Sequence, residues 1–478
     1  MPLPSVETLL DIGVALSKEK DIDRLLETIL DAAMDIANCD GGTLYVLEGG
    51  ALHFRILVTK SLGLRRGVRG VSPELPPVPL SRANVSSRAA LDKTLINVAD
   101  VYASDDFDFS GTRRYDGMTG YKTVSMLNVP MEDDNCDVIG VLQLINALSG
   151  EGAVVPFARE YEPVIFSLAS QAAICLTNRA HAAETMELLD SFVRVMSEAI
   201  DARSPYNANH TRNMARYADN FADWLNGDGG IAFDGERRRR FLMSVWLHDI
   251  GKLVVPLEVM DKANRLGPKI NDVMSRFRIF ALQNEIGYLR QSIGGGEYAR
   301  RAAEIEAARE LVEQSDRAGF LPDETLAAIR ELGEKTGPDG ETPFLMDEEL
   351  TCLSVRKGTL TDGERRVMES HVVMTRRLLS GMSFPKRFRS VPDWASSHHE
   401  YLNGEGYPDK LSGDAIPTET RILTVLDVFD ALTAGDRPYK PAMPAEKALG
   451  ILTDMAGDGR LDPDIVDRFI RSGAWKRP

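Results

Sequence analysis

Cysteine is scarce in this chain, and long apolar runs are absent. There are four cysteines, Cys39, Cys136, Cys175 and Cys352, and none of them forms a CxxC pair. This scarcity argues against a disulfide scaffold or a thiolate zinc site and fits a reducing compartment. No stretch reaches the ~18 apolar residues of a membrane span. The N-terminus MPLPSVETLLD also lacks the basic region and apolar run of a signal peptide. We therefore expect a cytoplasmic protein without a membrane partner.

Positive charge is also in deficit. The 56 Lys and Arg residues are outnumbered by 72 Asp and Glu residues, which gives a formal net charge of −16. Such a chain is a poor general binder of nucleic-acid polymers, although a locally basic pocket can still hold an anionic small molecule. Its 478 residues allow about two to four domains. A hydrophobic content of 43% excludes wholesale disorder.

The first part of the chain alternates helical and strand patterns. Residues 6–37 have apolar residues at helical spacing and predict a pair of helices. The runs GTLYVLEGG and ALHFRILVTK, joined at Gly49-Gly50, predict a β-hairpin. The runs VSMLNVPM and VIGVLQLIN predict a second strand pair. Helices around paired strands are typical of an α+β domain.

A single long helix is predicted next, from about Glu162 to Ala202, because no glycine interrupts this stretch and Pro163 lies at its start. Its apolar positions form a stripe that must be buried. The stripe can pack within the chain or against the same helix of a second chain, and the pattern does not separate these alternatives. From Ser204 onward the pattern is all-helical.

Five of the seven histidines lie in this helical half: His210, His248, His371, His398 and His399. Helical spacing places the first three on apolar faces, so they point inward. Each of them alone would most simply be a hydrogen-bonded core histidine. The doublets His248-Asp249 and His398-His399, with the nearby Asp427, change this interpretation. Imidazole and carboxylate together suit first-row metals, and a buried, uncompensated Asp is costly.

Neighbouring helical residues diverge by about 100°, so each doublet can face two metals, and Asp249 can bridge them. Two metals ~4 Å apart activate a water and clamp a phosphoryl group.

The runs HDIGK at 248–252 and HHEYLNGEGYP at 398–408 resemble the signatures of the HD-GYP family of metal-dependent phosphohydrolases. SPYNANHTR at 204–212 and DVFDALTAGDRPYK at 427–440 resemble its opening and closing motifs. The match covers roughly 204–263 and 358–475. This resemblance implies an all-α HD-GYP domain over 205–478 that hydrolyses cyclic di-GMP to the linear dinucleotide or to GMP.

The resemblance also implies roles for individual residues. The metal ligands would be His210, His248, Asp249, His371, His398, His399 and Asp427. Lys252 and Asp249 would be catalytic. The residues that contact substrate would be Lys252, Tyr407, Arg437 and Lys440. For Arg437 and Lys440 the alternative is a solvated loop charge. Tyr407 can stack on a base or simply pack.

Two departures from the family pattern bear on the site. Tyr206 stands where trimetal members have Glu, so we expect two divalent metals, Fe or Mn first and Zn, Ni or Mg as alternatives. His248 and His371 are 371 − 248 = 123 residues apart, where the family usually places about 30. The excess predicts a helical insertion at about 266–355 that acts as a lid, a dimer contact or a partner site.

Residues 6–180 resemble a GAF domain, a module that binds small molecules in signalling proteins. The best segments are GGTLYVLEGGALHF, DGMTGYKTVSMLNVPM and VIGVLQLINA. Asn146, Phe157 and Glu162 match a signature of cyclic-nucleotide-binding GAF domains, but Ala147 and Tyr161 do not. The ligand is therefore left open, and the helix at 162–204 is expected to carry the signal.

Together these patterns predict a homodimeric, GAF-regulated cyclic di-GMP phosphodiesterase. Alternatives are an HD phosphohydrolase for another nucleotide or cyclic dinucleotide, and a silent module that binds a cyclic dinucleotide. The resemblance also suggests a diguanylate cyclase as a partner that docks at the GYP loop.

Overall fold

The computed structural model describes residues 22–67, 75–204, 209–435 and 442–476. The chain divides into two compact units, Met1–Leu188 and Leu189–Pro478. Within the described ranges, every helix is too short or too polar to cross a lipid bilayer. The first of the two predicted N-terminal helices lies outside the described residues.

The first unit is built on one antiparallel sheet with helices on its faces. Its strands in the described ranges are β1 Cys39–Glu48, β2 Ala51–Thr59, β3 Leu64–Arg66, β4 Val78–Pro79, β5 Ile96–Val98, β6 Met126–Glu132, β7 Val138–Leu148 and β8 Val154–Val155. The spatial order is β3-β2-β1-β7-β6-β5, with β4 beside β2 and β8 beside β7. The hairpin predicted at Gly49-Gly50 joins β1 to β2, and both glycines have positive φ. Glycine adopts such φ values without a steric penalty.

The helices of this unit are α1 Ile22–Ile36, α2 Val85–Asp92 and α3 Ser110–Thr119, followed by the first part of α4 Glu162–Asp201. The main core includes Leu26 and Ile29 of α1, Leu44 of β1, Leu142 of β7 and Ile165 of α4. Leu44 and Leu142 lie opposite each other in the β1–β7 ladder. The expected α+β architecture and the long helix are confirmed.

The second unit is helical throughout its described residues. Its α-helices are α5 His210–Asp228, α6 Gly235–Leu247, α7 Leu257–Met260, α8 Ile270–Leu289, α9 Gly295–Arg317, α10 Asp323–Gly333, α11 Asp347–Leu353, α12 Asp362–Glu369, α13 His371–Ser380, α14 Val391–Ser396, α15 Thr418–Thr433, α16 Ala445–Gly457 and α17 Pro463–Ser472. Short 3-10 helices occur in this unit at Ile250–Val254, Gly267–Lys269, Lys386–Phe388 and Gly413–Ala415, and another lies in the first unit at Arg159–Tyr161. The all-helical architecture of the C-terminal region is confirmed.

Among its described residues, this unit has two large apolar cores. One is shared by α5, α6, α15, α16 and α17 and contains Phe221, Phe241 and Phe429. The other is formed by α8 to α11 and contains Phe277, Phe280 and Ile329. The segment predicted as an insertion therefore has its own buried apolar cluster. A segment with its own core can fold as a local unit beside the first core.

Candidate metal centre

Five helices of the second unit bring the predicted ligands to one place. His210 is the first residue of α5, His248 follows α6, and His371 is the first residue of α13. His398 and His399 come just after α14, and Asp427 lies in α15. All seven predicted donors, including Asp249, are in the described part of the chain. Most of the predicted ligands therefore lie at or next to a helix end, where the chain changes direction and the side chain can face the interior.

The turn that carries His248 and Asp249 is held against α13 by close backbone contact. Thr375 donates its hydroxyl to the carbonyl oxygen of His248 at 2.9 Å and accepts from the Gly251 amide at 3.0 Å. A Cβ atom at Gly251 would lie 1.9 Å from the carbonyl oxygen of His371. Only glycine fits this approach, and it fixes the distance between the two ligand-bearing segments.

Asp249 lies between two groups of histidines. Its Oδ2 atom is 3.3 Å from Nε2 of His210 and 3.2 Å from Nε2 of His248. Its Oδ1 atom is 3.4 Å from Nε2 of His371 and 3.9 Å from Nε2 of His398. The two oxygens of one buried carboxylate thus face different imidazole pairs. This is the position a carboxylate takes when it bridges two cations.

Each of these imidazoles is oriented through its other ring nitrogen. The Nδ1 atoms of His248, His371 and His398 lie 2.6–2.7 Å from the carbonyl oxygens three residues earlier. A carbonyl only accepts, so Nδ1 carries a proton in each of these rings, and Nε2 is the nitrogen whose lone pair a neutral ring would offer to a metal. Histidine ligands of metals are usually held in this way.

The donor set fits a divalent metal. Among the described residues, three groups of three side chains have donor atoms that all lie within 4.8 Å of one another. The first group is His371, His398 and His399, and the second is His210, His248 and Asp427. The third group, His248, Asp249 and His398, shares members with the other two. The Nε2 atom of His371 is buried and has no hydrogen-bond partner within the described residues. A buried, unpaired nitrogen is unfavourable unless it serves another purpose. A nitrogen-rich donor set with carboxylates suits Fe, Mn, Zn or Ni.

The electrostatics keep most of these donors in their metal-binding forms. Burial lowers the pKa of His371 and His398, and it lowers the pKa of His399 to about 4, so these imidazoles are neutral at pH 7. Burial alone would raise the pKa of Asp249, but His248 and Lys252 outweigh it and hold that pKa well below its usual value.

The pKa values of Asp427 and His210 are also set by burial and by neighbouring groups that act in opposite directions. Burial opposes ionisation of Asp427, yet the neighbouring His399 and His210 outweigh it and lower the pKa of this carboxyl. Burial also opposes protonation of His210, but hydrogen bonds with Asp249 and Asp430 raise its pKa to about 10. Both residues are therefore charged near neutral pH in the metal-free protein.

Lys252 and Tyr407 line the same site. The Nζ atom of Lys252 is 2.6 Å from Oδ2 of Asp249, and its side chain is 19% exposed. The Tyr407 ring stacks on His399, with ring centroids 4.8 Å apart, and burial raises the pKa of the Tyr407 phenol. Of the two roles considered for Tyr407, the structure shows packing, against a histidine. Arg437, Lys440 and Tyr206 lie outside the described residues.

Two residues without a predicted role support the site, although the sequence places Asp430, like Asp427, beside the apolar stripe of its helix. Asp430 Oδ2 lies 2.7 Å from Nδ1 of His210 and fixes that ring. Arg203 donates to the carbonyl oxygens of Lys252 and Leu253 at 2.9 and 2.6 Å. The sequence signal for Asp430 is this position beside the stripe, one helical turn after Asp427. Arg203 has no such signal.

Comparisons with known proteins place two domains on the chain. Residues 21–176 match the GAF domain model, and residues 346–465 match the HD domain model. The chain therefore carries an N-terminal GAF domain and a C-terminal HD domain, and HD domains are metal-dependent hydrolases. The HD match includes His371 to Asp427 and begins inside the segment predicted as an insertion, 266–355.

Relatives of the HD region have more specific names. The cyclic di-GMP phosphodiesterase response regulator RpfG of Xanthomonas campestris pv. campestris is 40% identical over 32% of this chain and 36% of its own length. The 3'3'-cGAMP-specific phosphodiesterase 3 of Vibrio cholerae is 41% identical over 21% of each chain. This chain thus spans about a third or less of these relatives.

A solved GAF domain from an Acinetobacter phosphoenolpyruvate-protein phosphotransferase is similar to the first unit. It shares 16% identity over 38% of this chain and 96% of its own, with a TM-score of 0.29.

Proposed function

We propose that the protein is a metal-dependent phosphodiesterase that hydrolyses cyclic di-GMP to the linear dinucleotide or to GMP. The observation that carries this proposal is the position of Asp249 between the two histidine groups, within 3.4 Å of His210, His248 and His371. The names of the relatives favour a cyclic dinucleotide as substrate.

The proposed metal ligands are His210, His248, Asp249, His371, His398, His399 and Asp427. When bound there, two divalent cations, Fe or Mn first, would activate water and offset charge on a phosphoryl group. The protein's own contribution is to hold these donors in place and to exclude solvent. His248 and His398 are almost completely buried, so little water competes for their Nε2 atoms.

Lys252 is proposed to contact the scissile phosphate. Its partly exposed ammonium group next to Asp249 can turn towards a bound anion and offset the charge that develops on it. Asp249 would act beside it as a shared ligand. Arg437 and Lys440 are proposed to contact the remaining phosphate or guanine, and Tyr407 to border the substrate from its place against His399.

A second candidate substrate is 3'3'-cGAMP. The relative named for that activity is as similar to this chain as the relative named for cyclic di-GMP, at 41% and 40% identity. Both substrates offer two phosphodiester bonds to the same site, so the donor set does not separate them. A silent cyclic-dinucleotide-binding module remains the non-enzymatic alternative.

The GAF domain is proposed to regulate the HD domain in response to a small molecule. A cavity of about 770 Å³ in the first unit is lined by Phe54 of β2 and by Arg55 and Arg179. That volume is typical of ligand sites. The helix α4 continues from the first unit into the second and is the proposed carrier of the signal, by a shift in population between two states.

The test is a product assay on the purified chain. Cyclic di-GMP and 3'3'-cGAMP are incubated separately with anaerobic, iron- or manganese-loaded protein, and products are separated by chromatography. We expect a linear dinucleotide or a mononucleotide from the wild type and none from the double variant His248→Ala, Asp249→Ala. Asp454→Ala serves as a control, because Asp454 is exposed on α16. Wild-type turnover in the double variant would refute the proposal.

A further inference from the structure

Another cavity, which lies in the Leu189–Pro478 unit, is lined by several arginines. Its volume is about 790 Å³, and none of the seven proposed metal ligands lines it. The walls come from the end of α4, from α6 and its N-terminal turn, and from the 3-10 helix Lys386–Phe388. Cavities of 300–1,000 Å³ are the usual size of small-molecule sites.

Positive charge exceeds negative charge in this cavity, although the chain as a whole is acidic. Its lining includes five arginines: Arg194, Arg238, Arg239, Arg240 and Arg387. The acidic lining residues are Asp190, Asp234 and Glu236. Asp190 is 3.5 Å from Arg239, and Asp234 is occupied as the N-cap of α6, where it accepts from the Arg237 amide. Arg238 is in turn paired with Asp219 and Asp223, which lie outside the lining, so the positive charge that the cavity offers to a ligand lies mainly on the other arginines.

Two of the arginines have aromatic neighbours instead of acidic partners in the described part of the chain. The guanidinium of Arg194 lies 5.8 Å from the ring centroid of Trp246, and that of Arg240 lies 5.6 Å from Trp394. The Nε atom of Arg240 is buried and has no hydrogen-bond partner within the described residues. A buried donor without an acceptor is unfavourable, and a reorientation of the Arg240 side chain towards an anion in the cavity would satisfy it.

We propose that this cavity binds a nucleoside monophosphate or a similar phosphate monoester on a flat ring. Arginine forks match the geometry of phosphate oxygens and bind them in pairs. Trp246 lines the same cavity and offers a flat apolar ring for a base beside the Arg194 guanidinium. The site is separate from the metal centre, so it does not depend on the proposed hydrolysis.

A ligand in this cavity would contact two helices, α4 and α6, that lead to different parts of the chain. Arg194 belongs to α4, the helix that continues from the first unit, whereas Arg240 belongs to α6, which ends one residue before His248. A phosphate held by both side chains would fix the spacing of α4 and α6. The cavity is thus placed to let a nucleotide bias the metal centre from a second site.

Calorimetric titration of the full chain, with metals removed by a chelator, tests the binding. We expect GMP to bind saturably, inorganic phosphate to bind more weakly and guanosine not to bind. The double variant Arg194→Gln, Arg240→Gln should weaken GMP binding at least about tenfold, because two charge-assisted contacts are lost. Arg278→Gln, at an exposed position on α8, should bind as the wild type does.

Three outcomes would overturn the assignment. They are the absence of saturable GMP binding at millimolar concentration, an unchanged affinity in the double variant, and binding that is lost in Lys252→Gln, which would locate the nucleotide at the metal centre. Thermal melting verifies that each variant is folded, and the single variant Arg194→Gln, at an exposed position, replaces the double variant if that one unfolds. The titration uses metal-free protein, so a failure of the phosphodiesterase assay does not affect it.

Discussion

Asp430 Oδ2 accepts a hydrogen bond from Nδ1 of His210 at 2.7 Å, although 220 positions separate the two residues. When the ring is neutral, as a metal ligand must be, this carboxylate keeps the proton on Nδ1, and Nε2 faces Asp249 at 3.3 Å. A residue that contacts no substrate thus controls the geometry of a proposed ligand. Such outer partners commonly change metal affinity by about 10–100-fold.

Asp430→Ala should therefore lower metal affinity by about one to two orders of magnitude while the fold is retained. Competition with a metal-binding dye measures the affinity directly. Asp454→Ala is the matched control, because Asp454 is exposed on α16 of the same unit. Equal affinities in the two variants would contradict the role assigned to Asp430.

Removal of the metals should both stop turnover and lower the melting temperature. Without cations, several imidazoles and two carboxylates are buried together with incomplete compensation. Restoring metal to 100 times its dissociation constant should stabilise the protein by about 2.7 kcal/mol. Differential scanning calorimetry before and after chelation checks this, and an unchanged melting temperature would count against a metal in this site.

Lys252→Gln should reduce turnover of the cyclic dinucleotide by about 10–100-fold at unchanged metal content, since a charge-assisted contact contributes roughly 1.5–3 kcal/mol. Steady-state kinetics and elemental analysis of the same samples separate the two effects. Lys447→Gln, at an exposed position on α16, is the control. Loss of metal in Lys252→Gln would show that the lysine acts only through Asp249.

Gly251→Ala and Gly450→Ala should shift stability in opposite directions. A Cβ at Gly251 meets the His371 carbonyl oxygen, whereas a Cβ at Gly450, within α16, meets nothing within 4 Å. We expect Gly251→Ala to lose about 1–3 kcal/mol or more and Gly450→Ala to gain up to about 1 kcal/mol. Urea unfolding of both variants provides the measurement. A neutral Gly251→Ala would mean that the contact with α13 is not tight.

Cys39 and Cys136 should differ sharply in reactivity. Burial raises the pKa of Cys39 from 9.0 to about 12, so its thiol remains protonated in the folded protein, whereas Cys136 is exposed. Iodoacetamide at pH 8.5 should modify Cys136 first, as peptide mass spectrometry can determine. Above pH 9 the unfolded state loses the Cys39 proton and the folded state keeps it, so this residue's contribution to stability should fall until about pH 12.

Much of this architecture follows from local pattern. The strand runs around Gly49-Gly50 predict the β1–β2 hairpin, and the uninterrupted stretch after Glu162 predicts α4, because period and turn chemistry are local properties. Helical spacing also gives the inward direction of His248, since Val245 precedes it on the same face.

The remaining features depend on contacts that a pattern does not contain. The pairing of His210 with Asp430 joins residues from opposite ends of the second unit. The stacking of Tyr407 on His399 likewise depends on the path of the loop after α14, where a Cβ at Gly406 would meet the Tyr401 amide at 2.4 Å. Arg203 binds backbone carbonyl oxygens. Every residue carries such an oxygen, so no residue type in the sequence indicates this contact.

The proposed ligands begin at His210 and end at Asp427, so the donor set is complete only when nearly the whole second unit has been synthesised. A nascent chain that ends in the segment of α8 to α11 has only three of the seven donors. Metal uptake would therefore be complete only late in translation, and premature termination before α15 would release a chain that lacks Asp427 and Asp430 and should bind cations more weakly. A measurement of bound cation would therefore distinguish chains that include α15 from chains that end before it.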